Sequence, residues 1–162
     1  MSGATLVARS PFIRRVARRI AALTLLALAG CDSIAGTQSD HALWNALEIR
    51  NYDFVYEVGC FCAFDRPNPA RVTVRGGIVV KIAPDSGIFV GKLPPASQYP
   101  TIDSLFAILE TAEKNSPDGV TVEFDPTYHY PTRISIDLIK NAIDDEVTYT
   151  VKSFTPVIGS QQ

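Results

Sequence analysis

The sequence predicts an α+β fold in which two αβββ halves form one antiparallel sheet with two helices packed on one face. Three observations support this prediction. Six segments alternate apolar and polar residues with the two-residue period of a strand, two segments have helical spacing, and their order is helix, three strands, helix, three strands. Two such halves build a two-layer sandwich. A chain of 162 residues has room for one domain of this kind.

The first half begins with a short helix that Ser39 or Asp40 caps and that continues to about Arg50. A strand follows over residues 52–62. Residues 70–75 and 78–83 form a hairpin, because the Gly76-Gly77 pair supplies the positive φ of a two-residue turn. The apolar face of the helix would hold Ala42, Leu43, Trp44, Ala46 and Leu47.

The second half follows a proline-rich loop over residues 84–100. Residues 101–115 have the clearest helical spacing of the chain, with a cap signal at Thr101 or Asp103. Strands are predicted over residues 120–125, 132–138 and 146–154, each with clean alternation.

The N-terminus has the pattern of a secretion signal. Four arginines between positions 14 and 19 precede an apolar run of eleven residues, Ile20 to Gly30. A membrane-spanning helix needs about 20 apolar residues, so this run is too short to remain as a transmembrane anchor. We therefore expect residues 1–30 to be a signal peptide, residues 31–39 a flexible tether, and residues 40–158 a single α+β domain.

Leu28-Ala29-Gly30-Cys31 resembles the lipobox of bacterial lipoproteins. The resemblance implies cleavage before Cys31, a diacylglycerol on its thiol, and an acyl chain such as palmitate on its amine. Two or three chains hold a protein firmly on a bilayer, whereas one anchors it only marginally. The expected location is the extracytoplasmic face of a cell membrane, and Asp32 resembles the signal that favours the inner membrane over the outer one.

The mature part is acidic, which excludes one class of partner. Residues 1–30 carry five arginines and no acidic residue, so their removal lowers the net charge from −2 to −7. Nucleic-acid binding draws its affinity from a basic face, so we expect no nucleic-acid partner.

Seven stretches of the mature domain have a recognisable pattern: NYDFVYE at residues 51–57, CFC at 60–62, RVTVRGG at 71–77, TIDSLF at 101–106, VEFDPTY at 122–128, YPTRISID at 130–137 and DDEVTY at 144–149. With these stretches the domain resembles a bacterial family of uncharacterised domains, domain-of-unknown-function family 6174. That resemblance implies a small secreted or lipid-anchored domain, and it supplies no activity and no catalytic residue.

Cys60 and Cys62 are the sharpest chemical feature beyond Cys31. Alternate residues of a strand point to one face, so the two sulfurs would emerge side by side. A disulfide between them needs a bulge or bend, because Cα atoms two residues apart in a regular strand lie about 6.6 Å apart. Two packed thiols and a metal or redox pair are the alternatives.

Tyr128, His129 and Tyr130 form a proline-bounded turn that is a candidate binding loop. Ordinary turn chemistry is the alternative interpretation. The cysteines and the two histidines, His41 and His129, have no metal-ligand spacing, so we predict no metal site and no cofactor.

The sequence shows no catalytic motif. We therefore expect a lipid-anchored cell-envelope protein that is not an enzyme and that serves as a protein-binding or structural module, with an envelope protein as its partner. The alternative is a thiol redox or metal-handling protein that uses Cys60 and Cys62.

Overall fold

The computed structural model describes residues 32–63 and 65–157. The predicted signal peptide, residues 1–30, and the predicted lipidation residue, Cys31, lie outside the described residues. From Ser33 onward, the described residues form one compact unit. Its elements are α1 (Asp32–Ala46), β1 (Tyr52–Gly59), β2 (Ala70–Arg75), β3 (Ile78–Pro84), α2 (Ile102–Lys114), β4 (Gly119–Phe124), β5 (Pro131–Asp137) and β6 (Val147–Pro156).

The predicted α+β fold is confirmed. The six strands form one antiparallel sheet in the order β3-β2-β1-β6-β5-β4, so the two αβββ halves meet where β1 pairs with β6. Both helices contact Tyr52 on the same face of the sheet. Its hydroxyl accepts a hydrogen bond from the backbone N–H of Ile102, and its ring meets the edge of the Trp44 ring.

The β2–β3 hairpin and α2 lie where the sequence placed them. Gly76 and Gly77 have φ values of 60° and 77°, which is the left-handed conformation that the two-residue turn requires. Thr101 caps α2 by accepting a hydrogen bond from the N–H of Ser104. The core face of α2 is the predicted apolar one, with Ile102, Leu105, Phe106, Leu109 and Ala112 buried.

The prediction for residues 31–39 as a flexible tether is wrong for Asp32 onward, because α1 begins at Asp32 and ends at Ala46. The predicted apolar face of α1 is right at Trp44, which is only 3% exposed, and wrong at Leu43 and Leu47, which are exposed. Thr37, which was not predicted to face inward, is fully buried. Polar side chains face inward because the neighbouring helix offers carboxylates to them.

Three contacts join α1 to α2 in an antiparallel arrangement. Thr37 donates a hydrogen bond to Glu113 (2.8 Å), His41 Nδ1 lies 2.8 Å from Glu110 Oε1, and the Trp44 indole N–H donates to Asp103 (2.8 Å). Thr37, His41 and Trp44 follow a spacing of four and three residues, so they share one side of α1. The N-terminal part of α1 therefore lies beside the C-terminal part of α2.

Candidate functional site

Cys60 and Cys62 lie just beyond the end of β1, not within it. The strand ends at Gly59, and the chain bends through the two cysteines. The structure pairs their sulfur atoms, and the bend brings their Cα atoms to 5.3 Å, within the ordinary range for a disulfide. Phe61 between them is 81% exposed. The strand prediction was too long here because alternation continues in the sequence after pairing with the neighbouring strands has stopped.

A cavity of about 350 Å³ lies next to this cysteine loop. Three tyrosines from distant parts of the sequence form its aromatic wall. Tyr56 of β1 stacks with Tyr149 of β6 at 6.5 Å and meets the edge of Tyr99 at 6.1 Å. The remaining lining residues are Val58, Cys62, Ala63, Arg66, Pro67, Asn68 and Gln98.

Local hydrogen bonds hold the cavity walls in place. The side chain of Asn68 both accepts from the N–H of Val58 and donates to its carbonyl oxygen, so it extends the edge of β1 beyond the last pair with β2. The hydroxyl of Tyr99 donates to the carbonyl of Pro67 (2.8 Å). The loop that brings Tyr99 over the sheet is thereby fixed to the segment that follows the cysteines.

The tyrosines of the cavity are neutral hydrogen-bonding groups at physiological pH. Burial raises the pKa of Tyr56 well above its ordinary value, the neighbouring Tyr149 adds to this effect, and Arg66 opposes it. Burial likewise raises the pKa of Tyr99 and of Tyr149. Among the described residues that line the cavity, Arg66 alone carries a charge. The arrangement suits a planar or apolar group that stacks on aromatic rings and contacts a guanidinium group.

The predicted binding loop at Tyr128, His129 and Tyr130 is packed into the domain. Tyr130 is buried, and its ring centroid lies 4.5 Å from that of Phe154. Asp125 accepts hydrogen bonds from the backbone N–H groups of residues 127 and 128, which fixes the turn. His129 Nδ1 lies 2.9 Å from Asp40 Oδ1 of α1. In this structure these residues connect the β4–β5 turn to α1.

The structure does not bring the two histidines close to the cysteine pair or to each other. His41 contacts Glu110, His129 contacts Asp40, and Cys60 and Cys62 contact each other at the end of β1. Over residues 32–63 and 65–157, no group of three or more histidine, cysteine, aspartate or glutamate side chains is arranged to hold a metal ion. Over the same residues, no helix has the length and apolar character needed to cross a membrane.

The open face of the sheet is polar and paired within itself. Arg75 contacts Asp53 at 3.1 Å, Lys152 contacts Glu57, and Ser135 lies 3.2 Å from Thr148. Partial burial works to raise the pKa of the Asp53 carboxyl, but hydrogen bonds from Thr73 and Arg75 outweigh it and the pKa falls below its usual value. These charged side chains of the open face are therefore already paired with one another.

Sequence reasoning missed the cavity because its wall comes from three separate segments. The available signal was Tyr99, a large aromatic residue within the proline-rich loop, where loop residues are usually small or polar. Nothing in the local pattern of Tyr56 or Tyr149 distinguishes them from ordinary core residues of a strand.

Comparison with protein-family models identifies the family of the chain. No curated protein and no solved structure gives a significant match to the chain. The model of a family of unknown function, DUF6174, matches residues 37–156, which covers all of the strands, all of α2 and most of α1. The chain therefore belongs to this family of unknown function, DUF6174.

Proposed function

We propose that the protein is a lipid-anchored, non-catalytic binding module of the bacterial cell envelope, and that its ligand site is the tyrosine-lined cavity next to Cys60 and Cys62. The observation that carries the proposal is the cavity wall of Tyr56, Tyr99 and Tyr149. Aromatic rings supply large contact areas at a low cost in conformational entropy, which makes tyrosine frequent in binding sites.

The size of the cavity limits the ligand. Small-molecule pockets range from about 300 to 1,000 Å³, so a cavity of about 350 Å³ suits one ring or a short side chain better than a dinucleotide. We propose that the ligand is an aromatic side chain of an envelope protein. Such a ring would stack on the tyrosines and contact Arg66 at the rim.

The anchor is proposed on the resemblance of residues 28–31 to a lipobox. Lipid on Cys31 would hold the domain at the extracytoplasmic face of a membrane, with Asp32 favouring the inner one. Replacement of Cys31 by serine is expected to leave an uncleaved precursor in cells. Normal cleavage of the Cys31→Ser form, together with its retention on membranes after a salt wash, would contradict the anchor.

The cavity is tested by filling it. A photoreactive residue in place of the exposed Gln98 at the cavity is expected to crosslink a defined protein in membranes, and the same residue at the exposed Thr121 on β4 is not. Ala63→Trp places a ring in the cavity mouth and is expected to abolish the crosslink. Ala107→Trp, on the exposed side of α2, is the matched control. Equal crosslinking in both variants would refute the cavity as the ligand site.

One observation favours a second candidate, a thiol redox function: Cys62 is part of the cavity wall. In reduction by a dithiol, the dithiol gives up two electrons and two protons and becomes a disulfide, while the Cys60–Cys62 bond breaks and leaves two thiols. Alkylation and mass spectrometry after equilibration with dithiol buffers measure this directly. A Cys60–Cys62 bond that stays intact across the whole range of buffers would exclude the redox candidate.

A further inference from the structure

The strands place three loops at one end of the sheet, here called the cysteine end. β1, β3 and β5 finish there and β2, β4 and β6 begin there, as the pairs Gly59–Thr148, Ala70–Pro84 and Gly119–Asp137 show. The loops are residues 60–69, 85–95 and 138–146, and residue 64 of the first is not described. The first two are adjacent, because Asp85 donates its backbone N–H to the carbonyl of Pro69 and Ile88 shares a hollow with Pro67 and Asn68.

Exposed apolar side chains are concentrated at the cysteine end. Of the twelve large apolar side chains that are exposed in the described residues, one lies in residues 60–63, three in residues 85–95 and three in residues 138–146. Ile88 and Val90 are each 91% exposed, Ile143 is 86% exposed, and Phe61 projects from the cysteine loop. A concentration of this kind on a small domain usually marks a contact surface.

The N-terminal end of α1 lies at the same end. α2 ends at Lys114, and only residues 115–118 separate it from Gly119, the first residue of β4 at the cysteine end. The pairs Thr37–Glu113 and Trp44–Asp103 make α1 antiparallel to α2, so α1 begins beside the C-terminal end of α2. Asp32 is the first residue of α1, and in the sequence Cys31 comes directly before it.

We propose that the cysteine end rests on the lipid bilayer, with Phe61, Ile88 and Val90 in the interfacial layer. The inference depends on the proposed lipid anchor at Cys31. Because no spacer separates that residue from α1, lipid on it would hold this end of the domain, and not another, against the membrane. The cavity lies at the same end, so its ligand would be a group presented at the membrane surface.

Charge indicates which lipids this surface fits. In the three loops acidic side chains outnumber basic ones, so the described part of the cysteine end has no basic patch that would attract anionic headgroups. The basic residues are Arg66, Lys92 and Lys140, and the acidic ones are Asp65, Asp85, Asp144, Asp145 and Glu146. Burial together with the negative charges of Asp118 and Asp145 also raises the pKa of Asp137 in this region. The contact would therefore be apolar and would form on zwitterionic lipid.

A weakened anchor makes the contribution of the loops measurable. The chain from Cys31 onward contains every core residue of the described structure and carries three cysteines, two of which are paired, so one acyl chain can be coupled to the Cys31 thiol. One chain alone binds vesicles only marginally. Each methylene that leaves water changes partitioning by roughly four-fold, so added contacts by the loops are readily detected.

The test compares two matched pairs of substitutions on phosphatidylcholine vesicles. Ile88→Thr with Val90→Thr is expected to lower the partition coefficient at least ten-fold. Ile78→Thr with Val80→Thr, exposed residues of β3 outside the three loops, is expected to change it by less than about two-fold. Binding should persist in high salt, because no ionic contact contributes.

Three outcomes would overturn the inference: equal effects of the two pairs, binding that requires anionic lipid, or self-association in solution that the Ile88 and Val90 pair abolishes. The last outcome would assign these loops to a second copy of the chain. The coupled acyl chain supplies the anchor in this experiment. A negative result here therefore leaves the Cys31→Ser test in cells, and with it the proposed function, unaffected.

Discussion

Asp103→Ala tests whether α1 is held on the domain by the hydrogen bonds along α2. The indole N–H of Trp44 donates to Asp103 Oδ1 at 2.8 Å, and Trp44 is 3% exposed, so water cannot readily replace the lost acceptor. Leaving a buried donor unpaired costs about 1–3 kcal/mol. Asp103 is also an acidic residue in the first turn of α2, where a negative charge contributes about 0.3–1 kcal/mol.

We therefore expect Asp103→Ala to lower the free energy of unfolding by about 2–3 kcal/mol, measured by urea denaturation. The chain has a single tryptophan, so the fluorescence of Trp44 reports directly on this contact, and its emission should shift to longer wavelength. Asp103→Asn keeps an oxygen acceptor and should lose less than half as much stability. A change below about 0.5 kcal/mol for Asp103→Ala, or equal losses in the two variants, would refute the reasoning.

Three further predictions concern the backbone, helix capping and pH. Gly36→Ala should stabilise the protein by about 0.5–1 kcal/mol, because Gly36 is helical and has open space around its Cα. Gly77→Ala should destabilise it by about 1–2 kcal/mol, because Gly77 has a φ of 77°. Urea denaturation of both variants measures the difference, and an unchanged stability of Gly36→Ala would contradict a helix at this position. Thr101→Ala should cost about 1 kcal/mol in the same assay through loss of the α2 cap, and Thr101→Ser should restore most of it. Burial and the charge of Asp125 raise the pKa of Tyr130 to about 12, so the stability that the neutral Tyr130 contributes is complete below pH 10 and is lost as the pH rises from 10 through 12. Denaturation midpoints should fall over that interval, and they should fall less in Tyr130→Phe. Identical pH profiles of the two proteins would count against a raised pKa of Tyr130.

The elements that the sequence predicted correctly are those whose signals are local. Two consecutive glycines define the β2–β3 turn because few other residues adopt positive φ twice in succession. The cap at Thr101 and the apolar spacing of residues 102–112 define α2 in the same way. Strand alternation over β4, β5 and β6 reflects burial on one face of the sheet, which each segment shows by itself.

The interpretation of α1 failed, except at Trp44, because its inward face also carries polar residues. Thr37 and His41 face inward only because Glu113 and Glu110 of α2 accept or contact them, and those partners lie about 70 residues further along the chain. Periodicity of hydrophobic residues therefore selected the wrong side of the helix and placed its start too late. The cavity was missed for the same reason, since Tyr56, Tyr99 and Tyr149 meet only after the two halves have paired.

The central claim is that residues 32–46 are the helix α1, packed on the domain and not a flexible tether, which fixes the end of the domain that an anchor would hold. Hydrogen–deuterium exchange with mass spectrometry over residues 33–46 of the mature chain tests it most directly. We predict that the amides of residues 37–46 exchange on the same timescale as those of α2. Exchange at the rate of an unstructured peptide up to residue 40 would support a flexible tether over these residues and contradict the packed helix α1.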